Sequence, residues 1–249
     1  MGGDFLERLL ERLEPDGARA LGVWIGPYWT AVRTERGTGL AATALDAGPT
    51  HGEHAQRMPG AGGLVGRAAL ELARGAASDY PLARSLGLAA INALLPEPMG
   101  RVTERNAGEL AAERGAGRVV GVVGWFPFVT ELKRSAARVE VFEKDPETGF
   151  ELTPERRERL AECDVLCATA SALANRTLGG LLAAARRDAW KILAGPSAPL
   201  CAETLELGFG AVCGARVVDH EPVVRVIQEG GCFQQIRKTG AVRLLCLEA

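Results

Sequence analysis

VVGVVGWFPF, residues 119–128, joins an apolar run to a turn made of glycine, aromatic residues and proline. From residue 118 onward the chain alternates such runs with helix-like stretches, and further turns follow later runs at 170–177 and at Gly195-Pro196-Ser197. Nearly continuous apolar runs are typical of parallel strands that are buried on both faces. The pattern therefore predicts an α/β fold with a Rossmann-like, mostly parallel sheet in the C-terminal half.

The strands of this sheet are predicted at residues 119–123, 139–143, 165–168, 191–194, 211–218 and 242–247. In open sheets of this kind the ligand crevice lies beyond the carboxyl ends of the strands, where helix N-termini present unpaired N–H groups. The turns that follow the strands are therefore the predicted binding site.

The N-terminal half has a different pattern. Its predicted elements are a helix at 4–13, strands at 20–25, 29–34 and 39–45, and helices at 64–73, 82–95 and 103–113. Short turns between β-rich runs predict an antiparallel meander, and a meander followed by helices is a smaller α+β module. The architecture changes between residues 98 and 117, so we predict two domains, 1–115 and 116–249, with the helix at 103–113 as a bridge.

The bulk composition excludes several classes of partner. The 249 residues have a formal net charge of -2 and a pI near 6.0, which gives no general attraction to nucleic acid or to anionic lipid. No stretch is both long and apolar enough to span a bilayer, and the first residues lack the basic start and apolar core of a signal peptide. We therefore predict a cytoplasmic protein with a small-molecule ligand. Self-association as a homo-oligomer stays open.

The six cysteines form no Cys-x-x-Cys pair, and this spacing argues against a zinc knuckle. Cys167, Cys213 and Cys246 lie inside apolar, strand-like runs. A reduced cysteine in such a run acts as a small hydrophobic side chain, so we expect a structural role for these three residues.

A glycine- and proline-rich segment at 48–63 contains His51, Glu53 and His54. Two histidines and a carboxylate so close together are typical metal ligands, but a metal site needs three or four converging ligands and a supporting shell. The alternative is a solvated loop.

The turn after the first strand of the large sheet is comparable with the dinucleotide fingerprint. Gly121 lies within the strand and Gly124 directly after it, and Glu143 closes the next strand at the spacing of a ribose-binding acid. The complete glycine series is absent, and Trp125-Phe126-Pro127 stand where a pyrophosphate needs small residues. These bulky groups favour a flat or apolar ligand, or a contact with the other domain. Glu143 fits either a ligand contact or a surface carboxylate.

Hydroxyl and amide side chains follow the third strand at Ser171, Asn175 and Thr177. Asn175 can cap the helix that continues to residue 186, and the neighbouring hydroxyls can hold an oxyanion. Gly195-Pro196-Ser197 repeats the arrangement after the fourth strand. No Ser-His-Asp order is supported, because only His220 lies in this half and its context is that of a helix start.

Several ordered motifs together resemble the "putative heavy-metal chelation" family, formerly a domain of unknown function. They lie at 122–128, 169–177, 193–199, 214–219 and 229–231. Upstream, 29–32, 39–41 and 87–94 resemble the companion N-terminal domain of that family, whose fold is similar to the N-terminal domain of enolase. The chain departs from the family pattern at Trp125, where a residue such as histidine is expected.

The resemblance implies that the strand ends of a Rossmann-like domain meet the N-terminal domain at a shared pocket. This pocket is proposed in the family to handle a heavy metal or a metal-chelating small molecule, and Asn92 would contribute from the N-terminal side. The other interpretation of Asn92 is a helix-packing amide.

Three functions are compatible with the sequence. The first is binding of a small anionic, metal-chelating molecule between the domains. The second is an enzyme with a nucleotide-type cofactor, NAD or S-adenosylmethionine, in the same crevice, and the third is a structural or partner-binding protein. For the first two, the candidate binding residues are Gly124, Phe126, Pro127, Phe128, Glu143, Ser171, Asn175, Thr177, Gly195, Pro196, Ser197 and Asn92.

Overall fold

The computed structural model describes residues 2–13, 17–45, 57–143 and 150–249. In chain order the elements are α1 (Gly2–Arg12), β1 (Gly22–Ile25), β2 (Trp29–Arg33), β3 (Thr38–Ala42), α2 (Ala69–Arg74), α3 (Pro81–Leu94), β4 (Arg101–Thr103), α4 (Ala107–Gly115), β5 (Val119–Val123), α5 (Val129–Ser135), β6 (Arg138–Phe142), α6 (Pro154–Ala161), β7 (Val165–Thr169), α7 (Ser171–Ala174), α8 (Leu178–Ala184), β8 (Trp190–Ala194), α9 (Ala202–Leu205), β9 (Ala211–Val217), α10 (His220–Gln228), α11 (Phe233–Lys238) and β10 (Val242–Glu248). A 3₁₀ turn, Gly75–Ala77, precedes α3.

The N-terminal part contains the small sheet, in which β1, β2 and β3 pair consecutively and antiparallel. This confirms the predicted meander. Helix α3 packs on β2 and β3, and its small residues Ala89 and Ala90 are fully buried. Because these side chains are short, the helix backbone approaches the strands closely.

The large sheet has the order β4-β10-β9-β8-β7-β5-β6, and strands β5 to β9 are parallel. The predicted mixed α/β fold with a mostly parallel C-terminal sheet is therefore confirmed, while β10 pairs antiparallel with β9 and β4. Strand β5 lies between β6 and β7, so the direction of winding reverses there. In open α/β sheets such a reversal opens a crevice at the carboxyl ends of the two diverging strands.

Successive side chains of a strand point to opposite faces of the sheet, and each face of the large sheet is covered by a buried layer of side chains. Val120 and Val122 of β5 pack with Leu110 and Leu132, which come from α4 and α5. The other layer includes Val123 together with Leu160 of α6 and Leu181 of α8, among others. Helices on both faces explain why the strand runs are apolar at almost every position.

The largest differences from the predicted boundaries lie in the N-terminal half. The helix predicted at 103–113 begins at Ala107, because the side chain of Asn106 caps it there, and the strand predicted at 39–45 ends at residue 42. Helix α2 begins at Ala69 and not at residue 64, because Gly66 has a φ of 87° and residue 68 forms a β-bridge with Arg19. The short strand β4 was not predicted; it joins the edge of the large sheet through β10. The domain limit at 115/116 stays a prediction, and α4, which precedes it, packs against strands of the large sheet.

The expectation of reduced, purely hydrophobic cysteines is wrong for Cys213 and Cys246, which form a disulfide. The two residues are directly opposite each other on β9 and β10, with 4.1 Å between their Cα atoms. Cys167 is a free, buried thiol, as expected. Register between strands brings the pair together, and the sequence spacing of 33 residues does not reveal it.

Within the described ranges, no helix combines the length and the hydropathy that crossing a membrane requires. The segment with His51, Glu53 and His54 lies outside the described residues. Both interpretations of that segment, metal site and solvated loop, therefore stay predictions.

Candidate functional site

The loops that leave β5, β7 and β8 lie side by side at the carboxyl edge of the large sheet. Gly124, after β5, contacts Thr169 at the end of β7: a Cβ at Gly124 would lie 3.1 Å from the Thr169 Cβ. Gly195, after β8, faces Ala170, and the Ala170 N–H donates to the Ala194 carbonyl at 2.8 Å. We call Gly124, Thr169, Ser171 and Gly195 the strand-end crevice.

Glycine is required at both turns of this crevice. Gly124 has a φ of 95° and Gly195 a φ of 124°, in the left-handed half of the backbone map where other residues are strained. The Gly124 N–H donates to the Phe142 carbonyl, and the Gly195 N–H donates to the Cys213 carbonyl, both at 2.9 Å. Each turn is therefore anchored to the neighbouring strand.

Two hydroxyl groups lie between these turns. The Oγ1 of Thr169 and the Oγ of Ser171 are 3.0 Å apart, and both residues are half-buried. Thr169 was not singled out from the sequence as a binding residue. Its position directly after the strand predicted at 165–168, at the start of the 169–177 motif, was the signal that could have found it. Adjacent hydroxyls can offer an O–H donor to an anionic oxygen while remaining bonded to each other.

The aromatic residues of the β5–α5 turn separate into two environments. Phe126 and Phe128 stack on each other, with ring centroids 4.9 Å apart, and both pack against the core layer next to α4. The Phe128 side chain lies where a side chain at Gly108 would be, with its Cβ 2.7 Å from that Cβ position. Trp125 and Pro127 are exposed. The two phenylalanines therefore shape the turn from inside.

Glu143, Asn175 and Thr177 lie at the ends of elements near the crevice. Glu143 is exposed and follows Phe142, whose carbonyl accepts from Gly124. The prediction that Asn175 caps the following helix is wrong: Asn175 ends α7, and Thr177 precedes α8 without a side-chain capping bond. The helix was expected to continue directly from Asn175, but a turn at Arg176 with a φ of 57° separates the two short helices.

Ser197 and Asn92 connect the two parts of the chain. Ser197 is only 1% exposed; its Oγ accepts from the Ala42 N–H at 2.8 Å, and its carbonyl accepts from Asn92 Nδ2 at 3.1 Å. Asn92 Nδ2 also donates to the Leu40 carbonyl at 2.9 Å. These bonds hold the end of β3 over the loop that follows β8, next to Gly195 and Pro196.

Arg84 of α3 fastens the crevice helix α7 to the N-terminal part. The side chain is buried, and its Nε donates to the Ala174 carbonyl at 2.6 Å while one Nη donates to the Asp79 carbonyl at 2.8 Å. We expect Arg84→Met to lower the free energy of unfolding by about 2–3 kcal/mol, because buried carbonyls lose charged donors. Urea denaturation measures the change.

The matched control for this prediction is Arg74→Met, since Arg74 is an exposed arginine of α2. Arg74→Met should change the free energy of unfolding by no more than about 0.5 kcal/mol, as most surface substitutions do. Equal destabilisation by the two variants would mean that the hydrogen bonds of Arg84 do not stabilise the contact between α3 and α7.

Two groups of the large sheet outside the crevice, Asp164 and Cys167, have shifted pKa values. A hydrogen bond from the Val119 N–H at 2.9 Å, with a further contribution from Arg186, lowers the pKa of Asp164. Asp164 directly precedes β7, so this charge lies at the amino edge, opposite the crevice. Inside the sheet, burial raises the pKa of Cys167 to about 12, so this thiol stays protonated at neutral pH.

The donor set of the crevice fits an anionic ligand better than a bare soft metal ion. Thr169 and Ser171 provide neutral hydroxyl groups, whereas soft metals prefer thiolate and imidazole ligands. Among the residues that the structure describes, no group of three or more His, Cys, Asp and Glu side chains is placed to hold a metal ion.

The fold and the crevice define a class: an α/β protein whose mostly parallel sheet carries a candidate small-molecule crevice at its carboxyl edge, next to a smaller sheet-and-helix part. The chain belongs to the DUF364 family, described as "putative heavy-metal chelation", whose family model matches residues 106–246. A second family model, DUF4213, has the same description and matches residues 6–95. The resemblance seen in the sequence is thus confirmed in both parts.

Two crystal structures of DUF364 proteins, each described as a protein with unknown function, are similar to this chain. The protein from Desulfitobacterium hafniense DCB-2 is 22% identical, with a TM-score of 0.79 over 100% of this chain and 98% of its own. The protein from Pyrococcus horikoshii is also 22% identical, with a TM-score of 0.75 over 98% of this chain and 100% of its own. At this identity the likeness concerns the fold. No curated protein matches the sequence.

Proposed function

We propose that this protein binds a small anionic, metal-chelating molecule in the strand-end crevice, between the predicted domains 1–115 and 116–249. The observation on which this rests is the hydroxyl pair Thr169–Ser171, 3.0 Å apart and placed between the Gly124 and Gly195 turns. The description of both family models as heavy-metal chelation supports the choice of ligand class.

The proposal assigns different tasks to the candidate residues. In the hydroxyl pair one O–H keeps the Thr169–Ser171 bond and the other donates to a ligand oxygen. Gly195, whose missing side chain leaves its nearest neighbours 3.9 Å away, gives the ligand room to approach, and Gly124 lets the first turn lie against Thr169. Phe126, Phe128, Ser197 and Asn92 position the loops through the contacts described above. Glu143, Pro127, Pro196, Asn175 and Thr177 complete the proposed set at the margin of the crevice.

The metal in this proposal arrives with its chelator. Carboxylate or phosphate oxygens that are not bound to the metal would accept from the hydroxyls, since charge-assisted hydrogen bonds are stronger than neutral ones. The chelator supplies the metal ligands, so the crevice needs no thiolate or imidazole of its own.

Ser171→Ala is expected to weaken binding of such a ligand by about tenfold, because one hydrogen bond to a charged oxygen is lost. Citrate, free and as its Ni²⁺ complex, is a suitable probe for isothermal titration calorimetry. Ser135→Ala is the matched control, since Ser135 is exposed at the end of α5, at the opposite edge of the sheet. Equal affinities of the Ser171 and Ser135 variants would exclude the hydroxyl pair as the site.

The position of Glu143 supports a second candidate function, an enzyme with a nucleotide-type cofactor. Glu143 follows Phe142, which is paired with the end of β5, as a ribose-binding acid would be. Thermal stabilisation by NAD or S-adenosylmethionine would favour this enzyme, and metal retained through a chelator wash would favour the first proposal. A lack of response to all these ligands would favour a structural or partner-binding protein.

A further inference from the structure

Trp125 is the most exposed aromatic side chain of the β5–α5 turn, with 67% of its surface accessible. Its neighbours Phe126 and Phe128 are held by each other and by the core next to α4. The two phenylalanines therefore hold the turn against the core, while the Trp125 indole is exposed to solvent. An exposed tryptophan presents a large apolar face, which is a common property of binding surfaces.

The indole belongs to the residue directly after the crevice glycine Gly124. That glycine contacts Thr169, whose hydroxyl is paired with Ser171. The Trp125 ring and the Thr169–Ser171 hydroxyl pair are therefore attached to neighbouring loops at the same edge of the sheet. In general, an indole face stacks on planar rings, and a hydroxyl group donates to anionic oxygens.

We infer that Trp125 is a stacking residue of the strand-end crevice, and that the ligand carries a planar aromatic or heteroaromatic ring beside its anionic groups. This inference rests on the proposed function and specifies its ligand class: aromatic acids that chelate metal through a ring nitrogen and a carboxylate. Stacking on an aromatic side chain favours any ligand with a π-face, and the hydroxyls then select those that carry a negative charge.

The test compares two chelators that differ in aromaticity, pyridine-2,6-dicarboxylate and citrate, each free and as its Ni²⁺ complex. Calorimetry on the full chain gives the affinities of the wild type, Trp125→Ala and Trp125→Phe. We expect Trp125→Ala to weaken binding of pyridine-2,6-dicarboxylate roughly three- to tenfold and to leave citrate unchanged, since only the aromatic probe stacks. Trp125→Phe should retain most of the affinity because it keeps an aromatic face.

Tyr28→Ala is the matched control, since Tyr28 is also an exposed aromatic residue, at 58%, but lies on the β1–β2 turn of the small sheet. This variant should bind both probes like the wild type. Indole fluorescence provides a second readout: quenching by pyridine-2,6-dicarboxylate should decrease in Trp125→Phe, although the other three tryptophans remain.

The outcomes separate this inference from the proposed function. Suppose that Ser171→Ala weakens the binding of both probes, and that Trp125→Ala weakens the binding of neither probe or of both equally. The stacking role is then wrong and the proposed function stands. If the wild type binds neither probe, both proposals fall. Self-association of the wild type that Trp125→Ala abolishes, measured by light scattering, would show that the indole docks on a second copy and would overturn the inference.

Discussion

Gly39→Ala is expected to lower the free energy of unfolding by about 3 kcal/mol or more, because the added methyl group overlaps backbone atoms in a packed interface. A Cβ at Gly39 of β3 would lie 2.1 Å from the Ala89 carbonyl oxygen and 2.3 Å from the Ala93 nitrogen, both in α3. Backbone atoms cannot rotate away as a side chain can, so the strand must move off the helix. Urea denaturation followed by circular dichroism measures the loss.

The same displacement should reach the candidate site. Leu40 and Ala42 follow Gly39 in β3. The Leu40 carbonyl accepts from Asn92, and the Ala42 N–H donates to Ser197, two residues after Gly195. Citrate affinity should therefore fall together with stability in Gly39→Ala.

Gly37→Ala is the matched control for this prediction. Gly37 lies in the turn between β2 and β3, and a Cβ there would meet its nearest neighbour at 3.8 Å, an ordinary contact. The control should change the free energy of unfolding by less than about 1 kcal/mol. A Gly39 variant as stable as this control would mean that β3 does not lie against α3 as described.

Reduction of the Cys213–Cys246 disulfide is expected to lower the free energy of unfolding by about 3–4 kcal/mol. The bond closes a loop between residues 33 apart, and it therefore restricts the unfolded chain in the chain-entropy account of such bonds. Urea denaturation with and without dithiothreitol measures the difference. The thiol count of the denatured protein should rise from the four free cysteines of the structure to all six.

The double variant Cys213→Ala/Cys246→Ala is the control for reduction. Its stability should be lower than that of the oxidised wild type and should not respond to dithiothreitol. If the thiol count of the wild type reaches six while its denaturation midpoint stays unchanged, the bond does not stabilise the fold. A count of six before any reductant is added would show that the pair is not oxidised.

Local sequence patterns were sufficient to predict the positions of most strands in the large sheet. The run at 119–123 coincides with β5, and the predicted strands at 139–143 and 242–247 lie within one residue of β6 and β10 at each end. For β5 this succeeds because a strand buried on both faces needs apolar side chains at successive positions. Strand β6 lies at the edge of the sheet, and its valines alternate with Arg138 and Glu140, a pattern of period two that is also visible in sequence. The strand β4 was missed because three residues are too few to show a period.

Local patterns were less informative at the candidate site. Gly124, Ser171 and Gly195 were singled out as turn residues, and the structure places them at one edge of the sheet. Asn175 was expected to cap a helix, but the turn at Arg176 breaks the chain before α8. That turn is bound through the Arg176 side chain to the carbonyls of Ala77 and Ser78, about a hundred residues away in sequence.

By itself, the sequence determined the class of fold, the meander followed by helices, the family and the turns where a ligand site is expected. Each of these depends on the periodicity of side chains or on motifs within a few residues. Only the tertiary structure decided that Cys213 faces Cys246, that Thr169 pairs with Ser171 between two glycine turns, and that Ser197 is closed off by Ala42 and Asn92. The disulfide and the Ser197 bonds depend on strand order and register, because residues far apart in the chain become neighbours only when whole elements pack. Thr169 and Ser171 are two residues apart, and what strand order decides is their position between the Gly124 and Gly195 turns.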